Sequence, residues 1–313
     1  MKKVYFIANL QAGKAELSGY LAEVLNLMTS AGYEVTVHPT QAPLDAMYMA
    51  ARAADSGEYD AIWCSGGDGT LNETMTGLMR ANHRIPLGYI PCGSVNDYAR
   101  SIGIPRDLLK ATELILDGTP RYVDTGTIND RCFNYIAAFG AFTDVTYDTK
   151  QNVKNVIGPL AYVMNAATKI RDLRTFRMCV KCDGQEFEDD FIYGMITNSR
   201  SVGGVLDISD FQFDDGAFEI TLLKQPEGLL DLHDTLKFLR DIHEIGEQEK
   251  VIALRASEID IQLKEDANVP WTVDGEYMKN APYVHITNHR RAIPLLIPKT
   301  CDMSLFSAES FTG

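Results

Sequence analysis

A glycine-rich turn with one carboxylate is the part of this sequence best suited to chemistry. It spans Gly66–Thr70 and follows the apolar run Ala61–Cys64, which predicts a buried strand. Glycines let backbone N–H groups approach an anion closely, and the start of a helix adds free donors and partial positive charge. Asp68 can then hold a divalent cation on a bound phosphate, directly or through water. We expect Asp68 to be exposed, and Thr70 with Glu73 to form a capping box.

The common nucleotide-binding patterns do not occur at this turn. Neither Gly-x-Gly-x-x-Gly nor Gly-x4-Gly-Lys-Ser/Thr is present there. The alternative interpretation is an ordinary turn between a strand and a helix that binds no ligand. Three glycines in five residues are costly in chain entropy for such a role. The turn therefore indicates a phosphate site of another kind.

A second polar segment, Pro91–Arg100, follows another predicted strand. Gly93 permits close approach of a ligand, and Ser94 offers a hydroxyl group. Asn96 and Asp97 can cap a helix or chelate a cation. Helix capping alone is the alternative interpretation, because serine and asparagine are strong N-caps.

The elements that must position these turns alternate between strand and helix. Strands are predicted at Val4–Ala8, Tyr33–His38, Tyr59–Cys64, Pro86–Ile90 and Arg121–Asp124, and helices around Leu17–Met28, at Pro43–Ser56, after Gly69 and at Arg106–Leu116. This order predicts an open α/β domain with a parallel sheet and helices on both faces. Ligands bind at the carboxyl ends of such strands. The turns at Asn9–Lys14, Thr40, Gly66–Thr70 and Pro91–Asp97 are therefore expected to share one edge of the sheet.

The pattern changes beyond Asp124 to short strand-like runs separated by turns. These runs are Thr175–Cys182, Gln185–Phe187, Phe191–Asn198, Ala217–Leu223, Glu258–Lys264, Val269–Val273 and Tyr283–Asn288. Many short strands predict an antiparallel β-sandwich, and Cys182–Gln185 predicts a hairpin turn. Helices are predicted at Gly228–Ile245 and, after Pro159, within Asn152–Leu173.

Composition limits the partners of the chain. The net charge is 29 − 43 = −14 over 313 residues, which argues against nucleic acid and makes any contact with an anionic membrane local and transient. Six scattered cysteines predict reduced thiols, and the lone pair Cys179 and Cys182 argues against zinc. No run has the length of a signal peptide or a membrane span, so we expect a cytoplasmic protein.

The segment Gly66–Glu73 resembles the nucleotide motif of the diacylglycerol kinase catalytic-domain family, the bacterial soluble lipid kinases. This motif is shared more loosely with sphingosine, NAD and phosphofructo-kinases. Pro91–Arg100 is similar to the family's Pro-x-Gly-Thr-x-Asn-Asp-x-Ala-Arg, with serine in place of the threonine. The family's Asn-Pro-x-x-Gly turn is matched by Asn9 and Gly13, with Leu10 in place of proline. The resemblance covers nearly the whole chain, with four motifs in order.

The resemblance implies that ATP binds over the glycine turn, between two domains. The implied nucleotide-binding residues are Asn9, Gly13, Lys14, Thr40, Gly66, Gly67, Asp68, Gly69, Thr70, Asn72, Ser94, Asn96 and Asp97. Asp68 and Asp97 are implied to orient Mg2+ on the phosphates. For Lys14 the alternative is a solvated lysine at the start of a helix, and for Thr40 it is an ordinary turn threonine.

Two acidic segments of the second domain complete the implied site. Gln212–Phe218 resembles the family's Asp-Gly turn, where a structural Mg2+ is bound by a carboxylate and two carbonyls, here Asp215 with Gln212 and Ala217. Its alternative is a type I′ hairpin.

Thr272–Glu276 resembles the family's Asp-Gly-Glu motif, in which the catalytic base lies. A carboxylate within reach of the attacking hydroxyl can take its proton. Asp274 and Glu276 are expected on the same side of an extended segment, and either one can be the base. The alternative is again a hairpin turn.

The resemblance therefore implies an ATP- and Mg2+-dependent lipid kinase, a phosphotransferase in which Asp68, Asp274 and Glu276 are catalytic. The lipid is expected at a membrane surface, in transient contact, and a homodimer is left open. The expected domains are residues 1–126 for nucleotide, joined by the tail from about 295 to 313, and residues 127–294 for lipid. The alternatives are a kinase of a soluble substrate such as NAD, and a nucleotide-binding regulator without catalysis.

Overall fold

A computed structural model of the chain describes residues 1–140, 174–199, 201–202, 206–207, 211–225, 246–247, 250–264, 269–278 and 281–307. Contacts between residues divide the chain into two units. The first unit contains Met1–Thr125, Phe213–Asp215 and Arg290–Gly313, and the second contains Gly126–Gln212 and Gly216–His289. The predicted helices within 152–173 and at 228–245 lie outside the described residues.

The first unit alternates strands and helices, as predicted. Its elements are β1 (Lys2–Ala8), α1 (Glu16–Ser30), β2 (Tyr33–Pro39), α2 (Asp45–Ser56), β3 (Ala61–Gly66), α3 (Asp68–Arg80), β4 (Leu87–Pro91), α4 (Asp97–Ser101) and α5 (Leu108–Leu116). The sheet order is β2-β1-β3-β4, and each of these pairs is parallel. The predicted open parallel sheet is therefore confirmed.

Small residues allow the helices of this unit to pack closely. Ala46, Ala50 and Ala54 of α2 are buried, and a Cβ on Gly77 of α3 would lie 2.9 Å from the Cβ of Ala50. Real Cβ atoms do not approach so closely, so any larger residue at position 77 would separate α2 from α3. This contact fixes the second half of α3 against α2.

The second unit is antiparallel and contains most of the remaining strands. The strands that follow α5 are β5 (Thr119–Ile128), β6 (Arg131–Phe133), β7 (Ile136–Gly140), β8 (Phe176–Cys182), β9 (Gln185–Thr197), β10 (Ser201–Val202), β11 (Leu206–Asp207), β12 (Phe218–Lys224), β13 (Gly246–Glu247), β14 (Val251–Ala256), β15 (Glu258–Leu263), β16 (Trp271–Val273), β17 (Glu276–Met278) and β18 (Tyr283–Ile297). The first half of β9 pairs with β8, and its second half pairs with β7 and β12. The strands surround one apolar core that includes Phe139, Phe191 and Trp271.

Several strand boundaries differ from the sequence-based prediction. Gln185–Phe187 and Phe191–Asn198 are parts of the single strand β9, and the strand predicted to end at Asn288 continues to Ile297. At its far end, Leu295 of β18 pairs in parallel with Leu87 of β4. The predicted hairpin at Cys182–Gln185 is confirmed. Asp183 and Gly184 have φ angles of 44° and 87°, as a type I′ turn requires.

No helix in the part of the chain that the structure describes combines the length and apolar character needed to cross a membrane.

Candidate active site

The four predicted turns follow the carboxyl ends of neighbouring parallel strands. β1 ends at Ala8, β2 at Pro39, β3 at Gly66 and β4 at Pro91. Because these strands are parallel and adjacent, the turns after them lie at one edge of the sheet. The predicted common edge is confirmed.

The helix after the glycine turn begins earlier than predicted. α3 starts at Asp68 with Gly67 as its N-cap, and no side chain caps it. The prediction of a capping box is therefore wrong, because Thr70 lies inside the first turn of α3. Its Oγ1 accepts a hydrogen bond of 3.0 Å from Nδ2 of Asn9. Glu73 instead accepts from the backbone N–H of Leu44 at 2.8 Å. The first turn of α3 thus keeps free N–H donors, which favour an anion.

Two glycine turns meet at their backbones. A Cβ on Gly93 would overlap Cα of Gly67, and one on Gly67 would lie 3.2 Å from Cα of Gly93. Gly13 has a φ of 58°, and a Cβ there would overlap the carbonyl oxygen of Cys92. Three turns therefore pack together without side chains between them.

We expect Gly93→Ala to destabilise the first unit by about 1–3 kcal/mol, because overpacking must push the two turns apart. ATP affinity should fall with it. The control is Gly19→Ala in α1, where an added Cβ has no neighbour within 4 Å and should stabilise the protein by roughly 0.5–1 kcal/mol. Calorimetric melting and ATP titration measure both effects. Unchanged melting and ATP binding in Gly93→Ala would contradict the close packing of the turns.

Asp68 joins the glycine turn to the segment after β4. Its Oδ2 accepts from the N–H of Asn96 at 2.9 Å, and its Oδ1 accepts from the N–H of Tyr98 at 3.4 Å. Asp68 is half-buried, so the expectation of an exposed turn residue is wrong. Burial raises the pKa of the Asp68 carboxyl, although the N–H groups of Tyr98 and Asn96 oppose the shift.

Asp97 is buried beside Asp68. Burial, followed by the charge of Asp68, raises the pKa of Asp97, and Arg100 lies 3.6 Å from its Oδ1. Asn96 has a φ of 56°, and its Oδ1 accepts from the N–H of Gly93 at 2.9 Å. Two neighbouring carboxylates whose charged forms are disfavoured make a place where a divalent cation would be stabilised.

The remaining predicted nucleotide contacts lie on or beside the same turns. Lys14 and Ser94 are exposed, whereas Thr40 and Asn72 are half-buried. The N–H of Thr40 donates to the carbonyl of Ala8 at 3.0 Å. Thr40 therefore extends the pairing of β2 beyond the end of the strand.

Asp274 lies in a hairpin turn rather than in an extended segment. β16 pairs with β17 across Asp274 and Gly275, whose φ angles are 49° and 82°. The expected extended geometry is wrong, and the type I′ hairpin that was the alternative is present. Within this turn, the carboxylate of Asp274 accepts three hydrogen bonds from backbone N–H groups. Oδ2 accepts from the N–H of Asn134 at 2.7 Å, and Oδ1 from those of Tyr135 and Ile136 at 3.1 Å.

Glu276 has a different environment from Asp274. Its side chain is 71% exposed and forms an ion pair of 2.7 Å with Arg131. Arg131 also donates to the carbonyl of Tyr277 at 3.0 Å. Glu276 is thus a solvent-facing partner of an arginine, whereas Asp274 is oriented by three backbone N–H groups.

The segment with the proposed metal ligands is irregular. Asp215 is half-buried and precedes Gly216, which has a φ of 85°. Asp215 itself has no positive φ, so the alternative type I′ hairpin, which needs positive φ at both residues, is not formed. Among the described residues, no group of three or more histidine, cysteine or carboxylate side chains is gathered as a metal site. A cation at Asp215 would therefore depend on carbonyl ligands such as those of Gln212 and Ala217.

Comparison of the chain with known proteins identifies its family. Residues 3–128 match the diacylglycerol kinase catalytic domain, and residues 138–297 match the YegS C-terminal NAD kinase beta sandwich-like domain. The diacylglycerol kinase of Bacillus subtilis (strain 168) is 34% identical over 303 residues, which cover 96% of this chain and 97% of the relative. The chain belongs to the diacylglycerol kinase family. This lipid kinase is therefore a phosphotransferase, as predicted, and its second domain is the predicted β-sandwich.

Other relatives agree with that assignment. The diacylglycerol kinase of Staphylococcus carnosus (strain TM300) is 32% identical and covers 95% of this kinase and 96% of its own length. A crystal structure of a protein from Bacillus anthracis str. Sterne, assigned as a diacylglycerol kinase, has a TM-score of 0.79. It is 25% identical and covers 96% of this chain and 97% of its own. Nearly the whole chain of the lipid kinase is thus matched in both sequence and fold.

Sequence reasoning did not find a buried ionic cluster around Asp214. This residue has no exposed surface. Its carboxylate accepts from the backbone and hydroxyl of Ser307 at 2.7 and 2.8 Å, and Arg291 lies 3.4 Å away. The backbone N–H of Arg291 donates to Asp124 at 2.7 Å. The sequence around Asp214 and Asp215 does not indicate which carboxylate is buried, because the partners of Asp214 lie 77 and 93 residues away.

Proposed function

We propose that this lipid kinase transfers the γ-phosphoryl group of ATP to the free hydroxyl of diacylglycerol or a related lipid, and that the reaction requires Mg2+. The observation that carries the proposal is the contact of the glycine turns at Gly67 and Gly93, with Asp68 bound to the second turn. It brings the start of α3 together with the carboxylates of Asp68 and Asp97, and this combination suits a polyphosphate with its cation. Relatives matched over nearly the full chain are named diacylglycerol kinases, which supports the acceptor.

The nucleotide binds to the first domain, near residues 1–126 together with the tail from about 295. The lipid binds to the second domain, near residues 127–294. N–H groups of the first turn of α3 bind the phosphates, and the Gly93 turn approaches them without a side chain in the way. Lys14 adds a positive charge, and Ser94 donates a hydroxyl hydrogen bond. Asn9 holds Thr70, and Thr40 and Asn72 complete the surroundings of the nucleotide.

Asp68 and Asp97 are the residues that would hold Mg2+ on the phosphates. Carboxylate oxygens suit this cation, and the raised pKa of each carboxyl fits a pair that is stabilised by positive charge. Bound Mg2+ would supply neutralisation of the charge that develops on the transferring phosphoryl group. The residues of the chain itself orient the nucleotide, and positioning of this kind lowers the barrier without covalent chemistry.

We assign the base to Asp274 rather than Glu276. The three N–H groups on its carboxylate hold it in one orientation. Glu276 is exposed and neutralised by Arg131. Asp274 takes the proton of the lipid hydroxyl as that oxygen attacks the γ-phosphorus of ATP, and ADP leaves. The lipid is presented by a membrane surface in transient contact with the protein.

Phosphorylation of a substrate panel tests this function. The protein is incubated with radiolabelled ATP and Mg2+, and with diacylglycerol, a sphingoid base or phosphatidylglycerol in mixed micelles, or with NAD in solution. We expect label in diacylglycerol. Label in NAD alone would favour the alternative, a kinase of a soluble substrate. The match of the second domain to an NAD kinase beta sandwich-like domain is the reason to include NAD in the panel. ATP binding without label in any acceptor would favour a regulator without catalysis.

A structural Mg2+ at Asp215 is the remaining part of the proposal. If Asp215 with the carbonyls of Gln212 and Ala217 binds Mg2+, Asp215→Ala should lower the melting temperature and abolish its rise with added MgCl2. At 100 times the dissociation constant, a bound ion stabilises the native state by roughly 2.7 kcal/mol. The control is Asp117→Ala, whose carboxylate is 79% exposed. If Asp215→Ala keeps the full magnesium response, this segment does not bind the ion.

A further inference from the structure

Asn134 is a buried polar residue whose side chain has no hydrogen-bond partner in the part of the chain that the structure describes. Its side chain and backbone are only 2% exposed, and neither Nδ2 nor Oδ1 is bonded. A carboxamide removed from water without a partner costs free energy, and folded proteins contain few such groups. A ligand that pairs with the amide would account for it.

Asn134 lies directly beside the proposed base. Its backbone N–H donates to Oδ2 of Asp274 at 2.7 Å, and its carbonyl accepts from Nδ2 of Asn198 at 3.3 Å. The backbone of Asn134 is therefore fixed on both sides, and only its carboxamide has unused capacity. The hydroxyl of Tyr135 lies 3.6 Å from the position that a Cβ on Gly275 would take. The Tyr135 hydroxyl thus lies beside the turn that carries the base.

We propose that the Asn134 carboxamide recognises the ester group of the lipid acceptor, with Nδ2–H donating to the ester carbonyl oxygen. This inference rests on the proposed function. In a 1,2-diacylglycerol, the carbon that bears the free hydroxyl adjoins a carbon that bears an ester. A donor next to Asp274 then meets the carbonyl when the hydroxyl reaches the base. An ester carbonyl only accepts hydrogen bonds, and an amide N–H is the complementary donor.

The consequence is selectivity for ester-linked over ether-linked glycerol lipids. A site built to hydrogen-bond a substrate group discriminates strongly against an analogue without that group, because its own buried polar atom is then left unpaired. A 1,2-dialkylglycerol of the same chain length keeps the hydroxyl and the apolar tails and lacks both carbonyls. Asn134 is thereby assigned as a specificity-determining residue.

The test compares kcat/KM for dioleoylglycerol and for the matched dialkylglycerol in the same mixed micelles. Wild type should prefer the ester by about tenfold or more. Asn134→Leu should lose that preference through a fall with the ester alone, and its melting temperature should stay level or rise, because an unpaired amide leaves the interior. Asn134→Ala repeats the test if leucine does not fit. Asn288→Leu is the matched control: its carboxamide is also buried and unbonded among the described residues, on β18.

The outcomes separate this inference from the function on which it rests. No preference in wild type, a preserved preference in Asn134→Leu, or an equal fall with both lipids would overturn the role of Asn134 and leave lipid phosphorylation standing. Failure of wild type to phosphorylate either lipid would overturn the proposed function, and the role of Asn134 with it. Loss of the preference in Asn288→Leu as well would also overturn it, because the effect would then be general to buried amides.

Discussion

Asp274→Gly is expected to reduce turnover by about 100- to 10,000-fold, the contribution of a positioned general base. Glycine is chosen because Asp274 has a φ of 49°, and two glycines form a type I′ turn without strain. ATP affinity should remain nearly unchanged, since the nucleotide is assigned to the other domain. Added formate should restore part of the rate, because a small carboxylate can occupy the space that the side chain leaves.

The Asp274→Gly variant removes the base and also leaves three backbone N–H groups without their acceptor. A control must therefore separate the loss of the base from the loss of these hydrogen bonds. Asp183→Gly provides it. Asp183 opens another type I′ Asp-Gly turn, with a φ of 44°, and its carboxylate accepts from the N–H groups of Ser257 and Glu258. Both variants should lose stability, and only Asp274→Gly should lose activity. Glu276→Gln should stay within a few-fold of wild type.

A different result would change the assignment. If Glu276→Gln lost activity to the extent expected of Asp274→Gly, the base would be the exposed glutamate. If Asp274→Gly and Asp183→Gly were both active within a few-fold of wild type, the Asp274 hairpin would be structural. Asp68 or Asp97 would then be the base to consider.

Features set by neighbouring residues were predictable from the sequence. The apolar runs before each turn predicted the parallel strands, and Asp-Gly at 183–184 predicted its hairpin. The glycines at 66, 67 and 93 indicated turns without side chains in the way, although the contact between the backbones of Gly67 and Gly93 was not itself predicted. In each case the physical cause, a backbone freedom or an apolar period, lies within a few residues of the feature.

Features set by distant partners were not predictable. Thr70 is a good N-cap by type, yet its hydroxyl pairs with Asn9, 61 residues away. Asp68 is typical of an exposed turn, yet it accepts from N–H groups 28 and 30 residues further along the chain. The carboxylate of Asp274 is bound by residues about 140 positions earlier. Local propensity cannot contain these contacts, because they form only when the strands assemble.

The burial of Asp68 changes what its substitution should do. If Asp68 were exposed, as the sequence predicted, Asp68→Ala would abolish phosphoryl transfer and leave the fold intact. The structure adds a second effect, because alanine leaves the N–H groups of Asn96 and Tyr98 without an acceptor. Hydrogen bonds to a charged group contribute about 1.5–3 kcal/mol each when well formed. The bond from Tyr98 is long, so we expect Asp68→Ala to cost about 2 kcal/mol of stability, roughly 4–8 °C in melting temperature.

Asp68→Asn separates the two roles of this carboxylate. Its Oδ1 can still accept from Asn96, whereas the amide is a poor ligand for Mg2+. We therefore expect Asp68→Asn and Asp68→Ala to lose turnover equally, by about 1,000-fold. This factor corresponds to a loss of about 4 kcal/mol of transition-state stabilisation by the bound cation. Stability should be graded, with Asp68→Asn between wild type and Asp68→Ala.

The control is Asp107→Asn. Asp107 is the N-cap of α5 and accepts from the N–H of Lys110. Asparagine caps a helix as well as aspartate does, so this variant should change neither turnover nor stability. Turnover at saturating MgCl2 and calorimetric melting are measured on the same preparations. If turnover followed stability instead, with Asp68→Asn nearly active, Asp68 would serve only to hold the Asn96 segment, and Asp97 would be left as the carboxylate for the cation.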